Sequence, residues 1–223
     1  MSFETKVFPS ASYAREAAAL IAAATTGTSS LVLTGGSTAE KVYPELAKEA
    51  VPWSRLEVLF SDERCVPPGD PASNFTMAER LLFQRSMPMS LHRMRGEDPP
   101  EVAASRYHSD IENVVGSGLD VMLAGMGADA HVCGMFPGSR ALDEKEQLCV
   151  AVDRPDGMTG LTLTPPAVLS ARKVLLIVTG EGKAATVKRA IEGDESISSA
   201  PVRMLADHPD VTFLLDEGAA SAL

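Results

Sequence analysis

The sequence predicts a three-layer α/β fold, a mostly parallel sheet with helices on both faces. Three observations predict it. Short apolar runs recur along the chain, as expected of strands buried on both faces. Segments of helical spacing lie between them. Four of the runs end in a polar or glycine-rich segment, as strands do before a β-α turn.

Residues 10–24 open with Ser10 as a candidate N-cap, run Ala-rich and predict a helix. Residues 30–33 predict a buried strand ending at Thr34-Gly35-Gly36. Residues 37–50 return to helical spacing. Residues 56–60 are the next strand and end at Ser61-Asp62-Glu63-Arg64. Residues 74–84 follow as a helix, with Met77, Leu81 and Leu82 on one side, and 102–115 as another. Residues 119–124 predict a strand ending at Gly125-Met126-Gly127, 149–152 a short strand, and 173–178 a strong one ending at Thr179-Gly180. Residues 182–191 predict a helix and 211–215 a last strand, after which Asp216 can cap a terminal helix. No linker-like break divides the chain, so residues 1–223 read as one domain.

Thirty acidic against 20 basic residues give a net charge of -10, which works against binding nucleic acid or an anionic membrane. An anionic substrate then needs a site that concentrates its own basic groups. Three cysteines without a CxxC pair suit a reducing compartment. Residues 1–9 lack the features of a signal peptide, and no apolar run nears the roughly 18–20 residues that span a bilayer. The expectation is a cytoplasmic protein, with nothing demanding more than a monomer.

In open α/β sheets ligands bind beyond the carboxyl ends of the strands. If the strands are parallel, the four polar endings meet at one edge. In the first, Gly35 and Gly36 let the backbone approach an anion, with Ser37 and Thr38 as hydroxyl donors at a helix start. An ordinary turn with Ser37 as N-cap is the competing reading. In the second, Asp62 and Arg64 follow a buried strand, where charge is costly unless paired or in use. Arg64 either clamps a phosphate or carboxylate or sits in an internal ion pair. In the third, Asp129 and His131 offer a histidine with a nearby carboxylate, the usual general base, against the alternative of a solvated loop histidine. Cys133 reads as a buried thiol rather than a nucleophile. In the fourth, Lys183 starts a helix, where a cation opposes the dipole unless an anion lies between.

Gly125-x-Gly127-x-x-Ala130 matches a dinucleotide fingerprint literally. It is discounted because Asp129 would face the pyrophosphate and Phe136-Pro137-Gly138 would end the helix within two turns. His92, His108, His131 and His208 show no metal-ligand spacing, so no metal and no cofactor are expected.

At these residues the chain resembles the 6-phosphogluconolactonase family and, more distantly, the glucosamine-6-phosphate deaminases, which share a Rossmann-like fold. The resemblance covers nearly the whole chain. It runs through Leu33 to Thr38, Ser61 to Pro67, Ser73-Asn74, Gly125 to His131, Phe136 to Gly138, Leu161 to Thr164 and Gly180 to Lys183. Ser-Asp-Glu-Arg followed by Ser-Asn, and Phe-Pro after the histidine, favour the lactonase. The resemblance implies hydrolysis of a 6-phosphoglucono-lactone, with His131 activating water and Asp129 shaping its turn. Gly35, Gly36, Ser37, Thr38, Asp62, Arg64 and Lys183 would hold the phosphate and ring substituents, with Arg203 a weaker candidate. A deaminase-isomerase and a non-catalytic sugar-phosphate binder are the alternatives. Two departures stand out. The family usually reads Asp-Gly-His-Thr-Ala-Ser where this chain has Asp129 to Gly134, so Ala130 replaces a glycine, which matters if φ there is positive. An arginine usually found before Leu-Thr-Leu-Thr is Gly160 here.

Overall fold

A computed structural model of the chain describes residues 3–84, 87–115 and 118–223. Its strands are β1 (Glu4–Phe8), β2 (Ser30–Leu33), β3 (Glu57–Phe60), β4 (Asp62–Arg64), β5 (Ser90–Leu91), β6 (Val121–Gly125), β7 (Cys149–Asp153), β8 (Thr159–Leu163), β9 (Lys173–Val178) and β10 (Val211–Asp216). Its α-helices are α1 (Tyr13–Ala24), α2 (Ser37–Leu46), α3 (Asn74–Leu81), α4 (Pro100–Val115), α5 (Pro165–Leu169), α6 (Ala184–Glu192) and α7 (Glu217–Ala220).

Among the described residues, seven strands form a parallel sheet in the order β1-β10-β9-β6-β2-β3-β5. Successive side chains of a strand point to opposite faces, and here both faces are buried. Leu31, Leu33, Val58, Phe60, Leu123, Ile177 and Leu214 pack against α1, α2 and α3. Val32, Leu59, Met122, Ala124, Leu176 and Leu215 pack on the other side, against α4, α5 and α6. This double burial is why the strands read as unbroken apolar runs.

From β2 the chain builds outward through β3 to β5, then crosses back past β2 to lay down β6, β9 and β10. The order therefore reverses between β2 and β6. Such a reversal opens a crevice at the carboxyl ends of the two strands, because their connections leave in opposite directions.

A second sheet, β4-β8-β7, is antiparallel and flanks that crevice. Ser61 joins the two sheets: its N–H donates to Leu33 O at 2.8 Å and its carbonyl accepts from Leu163 N at 2.9 Å. Arg64 thus lies on a strand, where the sequence had suggested only a loop, with Gly160 opposite it in register.

Several helices are shorter than their sequence patterns. Ser12 rather than Ser10 occupies the N-cap of α1, without a side-chain cap. Helix α2 stops at Leu46, and the chain tightens into turns through Lys48 N to Glu45 O and Glu49 N to Leu46 O. Helix α3 stops at Leu81 rather than Gln84. The 182–191 segment splits into a 3-10 turn at Glu181–Lys183 and α6. Asp216 does cap α7, accepting from Ala219 N at 2.7 Å.

Candidate active site

The reversal point holds a cleft of about 220 Å³. Gly35, Gly36, Ser37 and Thr38 after β2, Gly125 to Gly127 after β6, and Lys183 after β9 line it. Asp62 and Arg64 of β4 form the facing wall with Arg154, and His131 and Cys133 complete the rim. The convergence of polar strand endings is thus realised.

Gly36 has φ +92 and caps α2 without a side-chain hydrogen bond, leaving N–H groups at the helix start for an anion. Gly35 is constrained differently: a Cβ there would overlap the Asn74 amide. Asn74 fills that space and links three parts of the site. Its Nδ2 donates to Asp62 O at 2.8 Å, and its Oδ1 accepts from Arg64 Nη1. Arg64 Nη1 also donates to Ala72 O, while its buried Nε has no protein partner among the described residues. An unpaired buried donor is costly, and an anion in the cleft would satisfy it.

Glu63 explains how charged β4 can follow a buried strand. Its carboxylate is 3% exposed and accepts from Asn74 N, Phe75 N, Arg64 N and Ser73 Oγ at 2.7–2.9 Å. Burial pushes the carboxyl above its usual range, opposed by these four donors. The carboxylate fastens the start of α3 to the wall of the cleft, where the helix dipole also favours it.

His131 Nδ1 lies 2.6 Å from Asp129 Oδ1, which also accepts from His131 N at 3.2 Å. A carboxylate can only accept, so it selects the tautomer with hydrogen on Nδ1 and leaves the Nε2 lone pair free. The His131 ring packs on Phe136 with centroids 4.5 Å apart. The turn is anchored by Thr186 Oγ1 to Ala128 O at 2.7 Å and Val202 N to Ala130 O at 3.0 Å. Ala130 has φ +68, so the turn does use the left-handed region. No helix follows Gly125-x-Gly127; the chain turns back through bridges between Met126 and Val132 and between Val132 and Met135. That removes the fingerprint reading.

Burial, with Asp62 nearby, pushes the Cys133 thiol well above its usual range, so it is not poised as a thiolate. Lys183 is lowered, first by burial and then by Lys41, with Asp129 opposing. Arg203 does not line the cleft. Its Nε and Nη1 donate to Glu195 O and Ala190 O, where they satisfy carbonyls around the end of α6. Its place in the substrate site is therefore a correction to the sequence reading. Arg154 and Asn74 were missed as site residues. The turn signature Arg154-Pro-Asp-Gly157 was the available signal for the first.

Residues 6–213 match the family model of glucosamine-6-phosphate isomerases/6-phosphogluconolactonase. The chain belongs to this family. A 6-phosphogluconolactonase of Streptomyces coelicolor is 34% identical over 224 residues, covering 91% of this chain and 85% of its own. The structure of a 6-phosphogluconolactonase from Shewanella baltica superposes with a TM-score of 0.86 at 28% identity, covering 96% and 97% of the two chains. A monomeric glucosamine-6-phosphate deaminase superposes with a TM-score of 0.88 at 22% identity over 99% and 100%, a likeness of fold alone. Family members of both kinds thus share the architecture. No helix among the described residues is long and apolar enough to cross a membrane.

Proposed function

We propose that this family member hydrolyses 6-phospho-D-glucono-1,5-lactone to 6-phospho-D-gluconate, the second step of the oxidative pentose phosphate pathway. The observation that carries the reading is the Asp129–His131 pair on the rim of a cleft whose walls hold Arg64, Lys183 and the open start of α2. The named lactonase relative at 34% identity supports the lactonase over the deaminase. A net charge of -10 and sparse cysteines support a cytoplasmic protein acting on a small molecule.

In this reading the phosphate is held by Arg64, Lys183 and the Gly35–Thr38 loop. His131 Nε2 takes a proton from water as its oxygen attacks C1. The tetrahedral intermediate collapses with cleavage of the bond from C1 to the ring oxygen. The imidazolium, steadied by Asp129, returns the proton to that oxygen. General-base help of this kind contributes about 10²–10⁴-fold.

The test uses freshly made lactone and a coupled dehydrogenase that consumes 6-phosphogluconate. Turnover well above the spontaneous rate, with no ammonia released from glucosamine 6-phosphate, is expected. Ammonia release would move the chain to the deaminase. Binding of 6-phosphogluconate without turnover of either compound would leave a sugar-phosphate binder.

A further inference from the structure

Gly160 stands opposite Arg64 on β4 and opposite Val152 on β7. Directly paired residues of neighbouring strands share a face of the sheet, and so do residues two apart along a strand. Arg154 follows Val152 by two. The hairpin therefore brings Arg154 to the face that carries Arg64.

The space that Gly160 leaves is in use. A Cβ at position 160 would lie 3.0 Å from Arg154 Cδ and 3.4 Å from its Cγ. The Arg154 stem lies over the bare backbone of Gly160 and carries the guanidinium to the cleft wall. Its Cζ sits 5.2 Å from the centroid of Phe136, the ring that packs on His131. Asp156 aims it: Oδ2 accepts from Nε at 3.2 Å and Nη2 at 3.1 Å, while Oδ1 accepts from Met158 N within the same turn. The side chain is only 10% exposed, and among the described residues Nη1 has no hydrogen-bond partner.

Charge gives this guanidinium a task. Arg64 and Lys183 are offset by Asp62 in the cleft wall and by Asp129 behind His131. Arg154 adds a third cation to Arg64 and Lys183 in the cleft lining, against the one carboxylate of Asp62 there, in a chain of net charge -10. The exposed Asp156 lies outside the cleft lining and leaves one edge of the Arg154 fork open.

We infer that Arg154, reaching the cleft over Gly160 and aimed by Asp156, binds the phosphoryl group of the substrate together with Arg64 and sets the preference for phosphorylated lactones. The inference rests on the lactonase reading for its substrate, and its test separates the two. Hydrolysis of 6-phosphoglucono-lactone and of unphosphorylated glucono-1,5-lactone is compared in wild type and Arg154→Ala. Loss of a hydrogen-bonded charge predicts a fall of about 10–100-fold in kcat/KM for the phosphorylated lactone. That fall is carried mainly by KM, with the unphosphorylated lactone unaffected. Calorimetry with 6-phosphogluconate predicts the same loss of affinity and stands even if wild type proves not to be a lactonase. Asp156→Asn, which keeps the guanidinium but loosens its clamp, predicts a smaller loss of the same kind. An equal fall for both lactones, or unchanged affinity for 6-phosphogluconate in folded Arg154→Ala, overturns the inference.

Discussion

A methyl group on Gly127 would overlap His131 Nδ1, and also Asp129 Oδ1. The Asp129–His131 hydrogen bond fits only because position 127 carries no side chain. This turn is braced from outside by Thr186 and Val202, so it cannot simply move away.

Gly127→Ala therefore predicts a loss of turnover from misplacement of His131, without removal of any polar group. Displacing a catalytic group by about 1 Å costs on the order of 10²-fold. Steady-state kinetics should show the fall in kcat, with binding of 6-phosphogluconate largely kept. Normal turnover would show that the pair tolerates displacement.

Ala130 poses the opposite question, since the chain keeps a methyl group where φ is +68. Left-handed backbone costs a non-glycine residue about 1–2 kcal/mol. Ala130→Gly removes that strain. It also loses a fully buried methyl, worth about 0.8 kcal/mol. It frees the unfolded chain by a further 0.4–1 kcal/mol or so. These terms nearly cancel, so Tm should change by less than about 4 °C. Calorimetry checks this; a rise well beyond that would mean the strain dominates.

Lys183 gives a pH signature. Burial and Lys41 hold its pKa below the usual 10.5 in the free protein, so the charged form is disfavoured there. A bound phosphate favours the charged form and raises the value again. Between the two values binding takes up a proton, and affinity for 6-phosphogluconate falls as pH rises through the free-protein value. For folding, the unfolded chain holds the proton more tightly, so this group alone makes stability rise with pH between the lowered value and the usual 10.5. Titration calorimetry in two alkaline buffers of different ionisation enthalpy should show the proton uptake, and Lys183→Met should abolish it. Uptake that survives in Lys183→Met would assign it to another group.

The main sheet was legible because its inner strands are buried on both faces. Ser30–Leu33 and Lys173–Val178 carry no competing signal, and their bounds match the sequence reading. Of the small sheet only Cys149–Asp153 was legible, read as a short strand over 149–152. Asp62–Arg64 is three charged residues, stabilised by partners that lie ten or more positions away. Thr159–Leu163 contains a glycine, and α5 begins with two prolines that suppress a helical pattern although proline suits a first turn. Edge strand β1 is mostly exposed and reads as polar chain. His131, Asp129, Arg64, Lys183 and the Gly35–Thr38 loop were legible because each ends or closely follows an apolar strand. Arg203 was a weaker candidate by resemblance alone, and local carbonyls claim it. For Arg154 the sequence signals a turn, and the β7-β8 register sets it on the same face as Arg64.

The most direct test of the account is lactone hydrolysis by wild type and His131→Ala side by side, with 6-phosphogluconate affinity measured on both. A fall of about 10²–10⁴-fold in kcat is expected for the variant, with affinity preserved. Wild-type turnover in His131→Ala would contradict it.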